Sequence, residues 1–554
     1  MMDALFDRHQ PTLAAALKAA QDRGYWSAYP EVPSGKIYGE TAKDDGLASY
    51  RAHLGKAFAL PGHPATTAVG AEVSPFGAAL DITYPAADAK TLIAASQAAA
   101  PAWTAATPEV RVGICLEILA RLNRISFEMA NAVMHTTGQA FAMAFQAGGP
   151  HAQDRGLEAV AYAWAEMTRT PAQATWTKPQ GKADPIVLEK HWRIVPRGVS
   201  LVIGCQTFPT WNSYPGLFAS LATGNTVIVK PHPGAILPLA ITVSIARKVL
   251  AEQGLPADAV LLAADAPGAE ITRDLVSDRA VEIIDYTGSN SFGDWVRKHA
   301  GDAQVYTEEA GVNSIVIAAT DDFAGMCANI AFSLSLYSGQ MCTAPQNIYV
   351  PRGGIETNEG HKSFEAVAQA IAAAVDALLA DPTRAAGVCG AIANPLTADR
   401  VKVARRLGRI VRDSAEIEGL PEARTATPLI LAVDGDHTDA HEEERFGPIT
   451  FVVAVSDGAD AVARAADLAR RKGAITAAYY GAEEAGILSA ADSFAAAGVN
   501  LSVNLTGGIF VNQSAAFSDF HVTGANPAGN ASLTDTAFVA NRFRTVMWRR
   551  PKSA

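Results

Sequence analysis

The sequence predicts an α/β fold built on parallel sheets, and two observations carry that prediction. Short apolar runs at residues 200–204, 225–230, 259–263, 281–286 and 314–318 are bounded by turn residues and separated by helical stretches, notably 236–253 and 291–300. Buried strands alternating with helices are the pattern of βαβ units in a parallel sheet. The alternation then starts afresh from about residue 323 to 497, with a helix across 364–379 and strands at 450–455 and 474–480. The expected architecture is two α/β lobes on one chain.

Each element follows in order. Residues 1–90 carry Pro and Gly clusters around 30–39 and 61–64 and read as an irregular region wrapped on the main body. From about Ala86 the chain turns helical. Thr107-Pro108 is a helix start, with Thr as cap and Pro at the first helical position. Val112, Cys115, Leu116, Leu119 and Leu122 then recur at helical spacing and form a core stripe. Residues 186–188 and 191–195 read as two short strands before Pro196-Arg197-Gly198, where the first βαβ pattern begins. The tail, 499–554, is rich in Asn, Ser, Ala and aromatics and ends basic.

Composition removes several function classes. The 554 residues suffice for about three to five domains, or fewer if one is a large α/β unit. Hydrophobic residues are 49% and charged residues 18%, which excludes wholesale disorder. Net charge is −11, and Lys and Arg are scattered, so neither nucleic acid nor an anionic membrane is an expected partner. Cys115, Cys205, Cys327, Cys342 and Cys389 lie far apart without CxxC spacing, which fits neither a disulfide scaffold nor a zinc ribbon. No secretory leader or membrane-spanning run is read. The expectation is a cytoplasmic protein with reduced thiols.

Three segments carry candidate chemistry: Phe208-Pro209-Thr210-Trp211-Asn212-Ser213-Tyr214-Pro215, Tyr306-Thr307-Glu308-Glu309-Ala310-Gly311-Val312-Asn313 and Ser338-Gly339-Gln340-Met341-Cys342-Thr343. Alone, a Trp-Asn pair is usually a packed turn, a Glu pair is usually solvated, and a lone Cys is usually buried and inert. A fourth constellation is discounted. His437 and His441 precede Glu442-Glu443-Glu444 in a loop-like stretch that is not HExxH and has no Cys nearby, so no metal site is expected.

In this order and spacing the three segments resemble the aldehyde dehydrogenase superfamily. Two further stretches, Ala219-Ser220-Leu221-Ala222-Thr223-Gly224-Asn225-Thr226-Val227-Ile228-Val229-Lys230-Pro231 and Glu444-Arg445-Phe446-Gly447-Pro448, match family segments in the right order. The resemblance runs from about Ser96 to Phe543. It implies Cys342 of Gly-Gln-x-Cys as nucleophile, Glu308 as general base 34 residues upstream, and Asn212 as oxyanion donor. The chemistry suits those residue types. A free thiol, with a pKa of about 8.5, needs a base before it attacks an aldehyde. Loss of one oxyanion donor costs about 10²–10³ in rate. A carboxylate then activates water against the thioester. Glu309 competes with Glu308, but adjacent residues in an extended segment face opposite sides, so only one can meet the thiol. Glu308, Ala310 and Gly311 align with the family's Glu-x-Gly-Gly, Ala310 replacing its first Gly. The other four cysteines are read as structural.

The same resemblance assigns the cofactor site. No GxGxxG is present. Instead Tyr286-Thr287-Gly288-Ser289-Asn290-Ser291-Phe292-Gly293 closes a strand and opens a helix, and Gly288, Ser289 and Gly293 would meet a pyrophosphate there. Lys230 would contact the adenosine ribose, Glu444 the nicotinamide ribose, and Phe446 the nicotinamide ring. Many NAD-preferring members place a Glu three residues after that lysine, where this chain has Pro233. Lys230, with His232 if protonated, is then expected to favour NADP at least as well as NAD.

The resemblance implies an aldehyde dehydrogenase fold: a Rossmann-like cofactor domain, an α/β catalytic domain and a small β oligomerisation arm. The expected division is 1–178 N-terminal region and first part of the cofactor domain, 179–199 oligomerisation strands, 200–307 cofactor-binding core, 308–506 catalytic domain and 507–554 C-terminal oligomerisation tail. The implied partners are a small-molecule aldehyde and a second copy, as a homodimer or dimer of dimers. Within the superfamily, the stretch from Val503-Asn504-Leu505-Thr506 to Asn526-Pro527-Ala528, with Lys230-Pro231-His232-Pro233, resembles the branch of phenylacetic acid degradation protein PaaN and its relatives. That branch implies a semialdehyde, free or as a CoA thioester, from aerobic phenylacetate or benzoate breakdown. Two other readings stay open: a CoA-acylating dehydrogenase, against which Glu308 argues, and a non-catalytic protein that has kept the fold.

Overall fold

Residues 4–309, 311–532 and 535–552 are described by the computed structural model. Strands Val199–Ile203 and Thr226–Lys230, buried at every position, form the centre of a five-stranded parallel sheet. Its order across the sheet is Val260–Leu262, Thr226–Lys230, Val199–Ile203, Val281–Gly288 and Gln304–Glu309. The chain therefore winds outward in both directions from Val199–Ile203. In such sheets ligands bind outside the carboxyl ends of the strands, at the point where the order reverses.

A second, seven-stranded sheet runs Arg409–Arg412, Leu429–Asp434, Ile449–Val455, Pro345–Pro351, Asn313–Ile317, Thr476–Tyr480 and Asn500–Val503. All its pairs are parallel except Arg409–Arg412 with Leu429–Asp434. Helices Phe323–Ser335 and Phe364–Leu379 bury one face of it, and Gly458–Lys472 packs on the other. The α/β fold expected from sequence, two lobes built on parallel sheets, is what the chain adopts. Thr107 caps helix Pro108–Arg124 by accepting the Val110 N–H, and the Val112–Leu122 stripe is buried.

Three expectations need correction. Residues 1–90 are not merely irregular, because helices Ala4–Asp22, Gly35–Tyr38 and Ala42–His53 lie within them. The first packs Leu5, Leu13 and Ala16 into the same core as Leu116 and Leu157; its apolar positions are diluted by Ala and Pro11, which hid the period. The two short strands near 186–195 are one strand, Ala183–Pro196. It is central in an antiparallel sheet between Gln173–Gln180 and Phe543–Pro551, so the sheet begins before residue 179. Charged residues along it interrupt the apolar run, and only the two partner strands make it continuous. Among the described residues no helix is long and apolar enough to cross a membrane.

The strand Phe543–Pro551 is tied to the first sheet by Arg542. This guanidinium is fully buried, sits on Asp285 through Nη1 and Nη2 at 2.7 and 2.5 Å, and donates to Ser220 Oγ at 2.8 Å. Removing one partner of such a pair leaves the other charge buried alone. Arg542→Ala is expected to cost about 3–5 kcal/mol. Urea denaturation checks this, and a midpoint like that of the parent would contradict it.

Candidate active site

The residues singled out from sequence lie between two sheet edges. Lys230, Gly288 and Glu308 are at the carboxyl ends of strands in the five-stranded sheet. Asn212 is in the first turn of helix Pro209–Ala222, which follows Val199–Ile203. Cys342 precedes strand Pro345–Pro351, and Glu444 and Phe446 precede its neighbour Ile449–Val455.

The loop that presents Cys342 is held from below. Tyr337 and Ser338 adopt left-handed backbone (φ 52° and 49°), a costly conformation for side chains that have a Cβ. Neighbouring contacts over-determine it. The Tyr337 hydroxyl donates to Thr137 O, and Ser338 Oγ donates to Ala426 O at 2.8 Å. Buried Gln340 donates to Tyr337 O and Ala391 O and accepts the Ala393 N–H at 2.8 Å. Asn313 then grips the next turn, donating to Cys342 O at 2.8 Å and Ala344 O at 3.0 Å while accepting from Ile475 N and Thr476 N. Gln340 thus anchors the loop rather than reacting.

The Cys342 thiol donates to Glu308 Oε1 at 3.3 Å. Asn212 Nδ2 donates to the other oxygen, Oε2, at 3.0 Å. An amide nitrogen carries two hydrogens, so one N–H of Asn212 is left for a second acceptor near the sulfur. Burial pushes the Cys342 thiol well above its usual range, and the Glu308 charge pushes it further. Glu308 is itself 1% exposed. Burial raises its carboxyl, but His521 and the thiol donor outweigh that and leave it below the usual value. The resting pair is therefore a thiol facing a carboxylate. Glu309 points the other way, to Arg297, and its carboxylate lies against Gly293 of helix Asn290–His299, where a Cβ would displace it. Ala310 lies outside the described residues. At Gly311 a Cβ would meet Gly473 O at 2.3 Å, so only glycine fits.

One residue of the site was missed in the sequence. His521 Nε2 lies 3.0 Å from Glu308 Oε1 and 3.7 Å from Cys342 Sγ. It comes from the stretch read as an oligomerisation tail. Part of that stretch runs beside the Glu308 strand: Glu309 N donates to Ala528 O, and Thr307 N to Asn530 Oδ1, both at 2.7 Å. No local motif marks a histidine in an Asn- and Ser-rich tail. Cys342, Glu308 and His521 each offer one ligand atom within 4.8 Å of the others, a set that a thiophilic cation could occupy only by taking the thiol. Of the other cysteines, Cys115, Cys327 and Cys389 are buried, each pushed up to about 12 by burial. Cys205 sits against the site, 3.6 Å from Asn212 Oδ1.

The cofactor residues fall at the switch point. Ser289 caps helix Asn290–His299 by accepting the Phe292 N–H, leaving the N–H groups of Asn290 and Ser291 at a free helix end that suits an anion. Asn290 Oδ1 is buried without a partner and can accept from a hydroxyl. At Gly288, a Cβ would meet the Tyr286 hydroxyl at 2.4 Å. Glu444 is partly buried, and burial pushes its carboxyl up to about 7. Phe446 is partly exposed, with its carbonyl held by Arg400. Lys230 departs from the expectation. It is 2% exposed, and its Nζ lies 2.8 Å from Asp265 Oδ1 and donates to Pro231 O at 2.7 Å, so a carboxylate already offsets its charge. His232 accepts the Gly234 N–H at Nδ1, and desolvation of its ring with the Lys230 charge holds its pKa down to about 4. It is neutral at pH 7. Pro233 follows in the turn before helix Leu237–Glu252 and carries no charge.

A parallel-sheet switch point facing a thiol, a buried carboxylate and an amide defines a dinucleotide-dependent thiol enzyme. The family model for the aldehyde dehydrogenase family matches residues 74–513, and the chain belongs to that family. Among curated relatives, N-succinylglutamate 5-semialdehyde dehydrogenase of Burkholderia multivorans is 26% identical over 391 residues, 69% of this chain and 75% of that one. Its Burkholderia thailandensis counterpart is 26% identical over 388 residues, 69% of this chain and 74% of that one. A crystal structure of an NAD-dependent aldehyde dehydrogenase from Burkholderia multivorans superposes with a TM-score of 0.98, at 56% identity, over 100% of this chain and 99% of that one. Thermus thermophilus 1-pyrroline-5-carboxylate dehydrogenase shares the fold, with a TM-score of 0.76 at 19% identity over 96% of this chain and 99% of that one.

Proposed function

We propose that this enzyme oxidises a semialdehyde to the carboxylic acid through a thioester on Cys342, with NAD as acceptor. The observation that carries the reading is the Cys342 thiol donating to a buried carboxylate, Glu308, whose other oxygen is held by Asn212. Cys342 Sγ attacks the carbonyl carbon as its proton passes to Glu308. The free N–H of Asn212 and the backbone N–H of Cys342 hold the resulting oxyanion. The nicotinamide cofactor, when bound, supplies the hydride acceptor. Lys230 with Asp265, the helix end at Ser289–Ser291, Glu444 and Phe446 would hold it. Glu308, once it has lost the proton, draws one from water, which adds to the thioester and expels the Cys342 thiolate.

The curated relatives and the tail's likeness to the phenylacetate branch agree on a semialdehyde and differ on which. A screen of semialdehydes, free and as CoA thioesters, following nicotinamide reduction separates them. Turnover of CoA thioesters from aromatic breakdown supports the branch reading, and turnover of free amino-acid-derived semialdehydes supports the other. A cytoplasmic setting suits a reaction that needs a reduced thiol. The assembly proposed is a homodimer or dimer of dimers through the antiparallel arm, on which Trp176, Ile186, Val546 and Trp548 stand exposed. Light scattering on the arm variant Trp548→Lys tests it.

NAD is proposed over NADP because both supports for NADP are gone. Asp265 already neutralises Lys230, and Glu270 is a further negative neighbour of Lys230 and His232. A 2′-phosphate would face those carboxylates, whereas a ribose 2′-hydroxyl can donate to Asp265. The kcat/KM for NAD should exceed that for NADP by about tenfold or more, and Asp265→Ala should narrow the ratio. Equal or better use of NADP by the parent enzyme overturns this.

A further inference from the structure

The acid–base pair of the site does not stand alone. Behind Glu308 runs a chain of hydrogen bonds that ends on a buried cation. Arg155 Nη2 donates to Ser514 Oγ at 3.0 Å, and Ser514 Oγ lies 3.2 Å from His521 Nδ1. The Glu308 carboxylate can only accept, so His521 Nε2, 3.0 Å from Oε1, carries a proton and donates to it. In the neutral ring Nδ1 is then the acceptor, and the Ser514 O–H donates to it while Ser514 Oγ accepts from Arg155. The ring is also fixed in place. It is 4% exposed and meets the Trp211 ring edge-on at 4.5 Å, and the Arg155 guanidinium lies 4.6 Å from the Trp211 centroid. Trp211 adjoins Asn212, so one packed unit orients both partners of the Glu308 carboxylate.

We propose that His521 is a positioning residue for Glu308, with its ring supported from behind by Ser514 and Arg155, and that its Nε2–H holds the carboxylate ionised and aimed at the Cys342 sulfur. This rests on the reading of Cys342 and Glu308 as nucleophile and base. Oε1 accepts from both the thiol and the ring, so its approach to the sulfur is set on one side by His521 and on the other by Asn212. Without the ring donor the buried carboxylate keeps its proton to higher pH and rotates about its last bond. The charged and titratable groups around it are Cys342, Cys205 and Arg155, with Glu158 and Asp519 facing Arg155. None but His521 is a ring donor to Oε1.

The test is His521→Leu beside His521→Gln, whose side-chain amide can again donate to Glu308, and Ser514→Ala, all in the full-length enzyme. Glu308 must be deprotonated to act, so activity falls as pH drops through its pKa. His521→Leu should move the acid limb of kcat/KM upward by about one pH unit and lower kcat by about tenfold or more, with KM for NAD unchanged. His521→Gln should return the limb toward that of the parent, and Ser514→Ala should fall between. Thermal melting shows whether each variant is folded. An unmoved acid limb in His521→Leu, or equal limbs in the Leu and Gln variants, overturns the inference. If Cys342→Ala and Glu308→Gln behave as set out below while the limb stays unmoved, the role of His521 alone fails. If those two remain active, the reading of the pair fails first.

Discussion

Cys342→Ala is expected to abolish aldehyde oxidation, by at least about four orders of magnitude, while NAD binding and melting temperature stay near those of the parent. The asymmetry follows from what the side chain touches. Its thiol makes polar contacts with Glu308 and His521, both of which keep other partners, whereas the loop around it is held by Gln340, Ser338 and Asn313. Substituting Cys115, Cys327 or Cys389 should instead cost stability, since each fills a packed core, and leave turnover within a few-fold. Cys205→Ala is the informative control. Its sulfur leans on Asn212 Oδ1, so a modest loss is expected, well short of that for Cys342. Steady-state rates with one semialdehyde, together with titration of NAD by fluorescence, check all five. Turnover near that of the parent in Cys342→Ala would remove the mechanism.

Glu308→Gln should separate the two halves of the reaction. The thiol is protonated at rest, held up first by burial and then by the Glu308 charge. Gln cannot take the thiol proton, which must then leave to solvent. It also removes the charge that raises the thiol, so attack slows less than hydrolysis and a first hydride transfer persists. The thioester then lacks its base, and hydrolysis should slow by about 10²–10⁴. A burst of reduced cofactor, one per site, and a lasting acyl mass on the Cys342 peptide are the expected readouts. Glu309→Gln should behave differently. Its carboxylate faces Arg297 and helix Asn290–His299, so its loss should raise KM for NAD without trapping an acyl group. A trapped acyl group in Glu309→Gln, and none in Glu308→Gln, would reverse the assignment.

Much of this was legible along the chain. The strands at 199–203 and 226–230 announce themselves as apolar runs between turns, and helix Pro108–Arg124 as Thr-Pro followed by a stripe of period 3.6. Cys342, Glu308 and Asn212 could be singled out because their three segments, in order and spacing, resemble those of the aldehyde dehydrogenase superfamily. The alternation argument also separates Glu308 from Glu309: opposite faces of one strand lead to the thiol and to Arg297. The N-terminal helix and the single long strand Ala183–Pro196 were less visible, because Ala-rich and charge-interrupted segments take their structure from the surfaces they cover.

What the sequence determined by itself is therefore most of the elements, through hydrophobic period and turn residues, and the candidate reactive groups, through the order and spacing of short segments. Only the tertiary structure decided the state of those groups. Lys230 is paired with Asp265, from the turn after another strand, and the proposal of NAD over NADP rests on that pair. His521 reaches Glu308 across 213 residues because the tail lies along the Glu308 strand. The strength of a charge or a base depends on burial and on what lies within about 4 Å of it, and those distances are set between segments far apart in the chain.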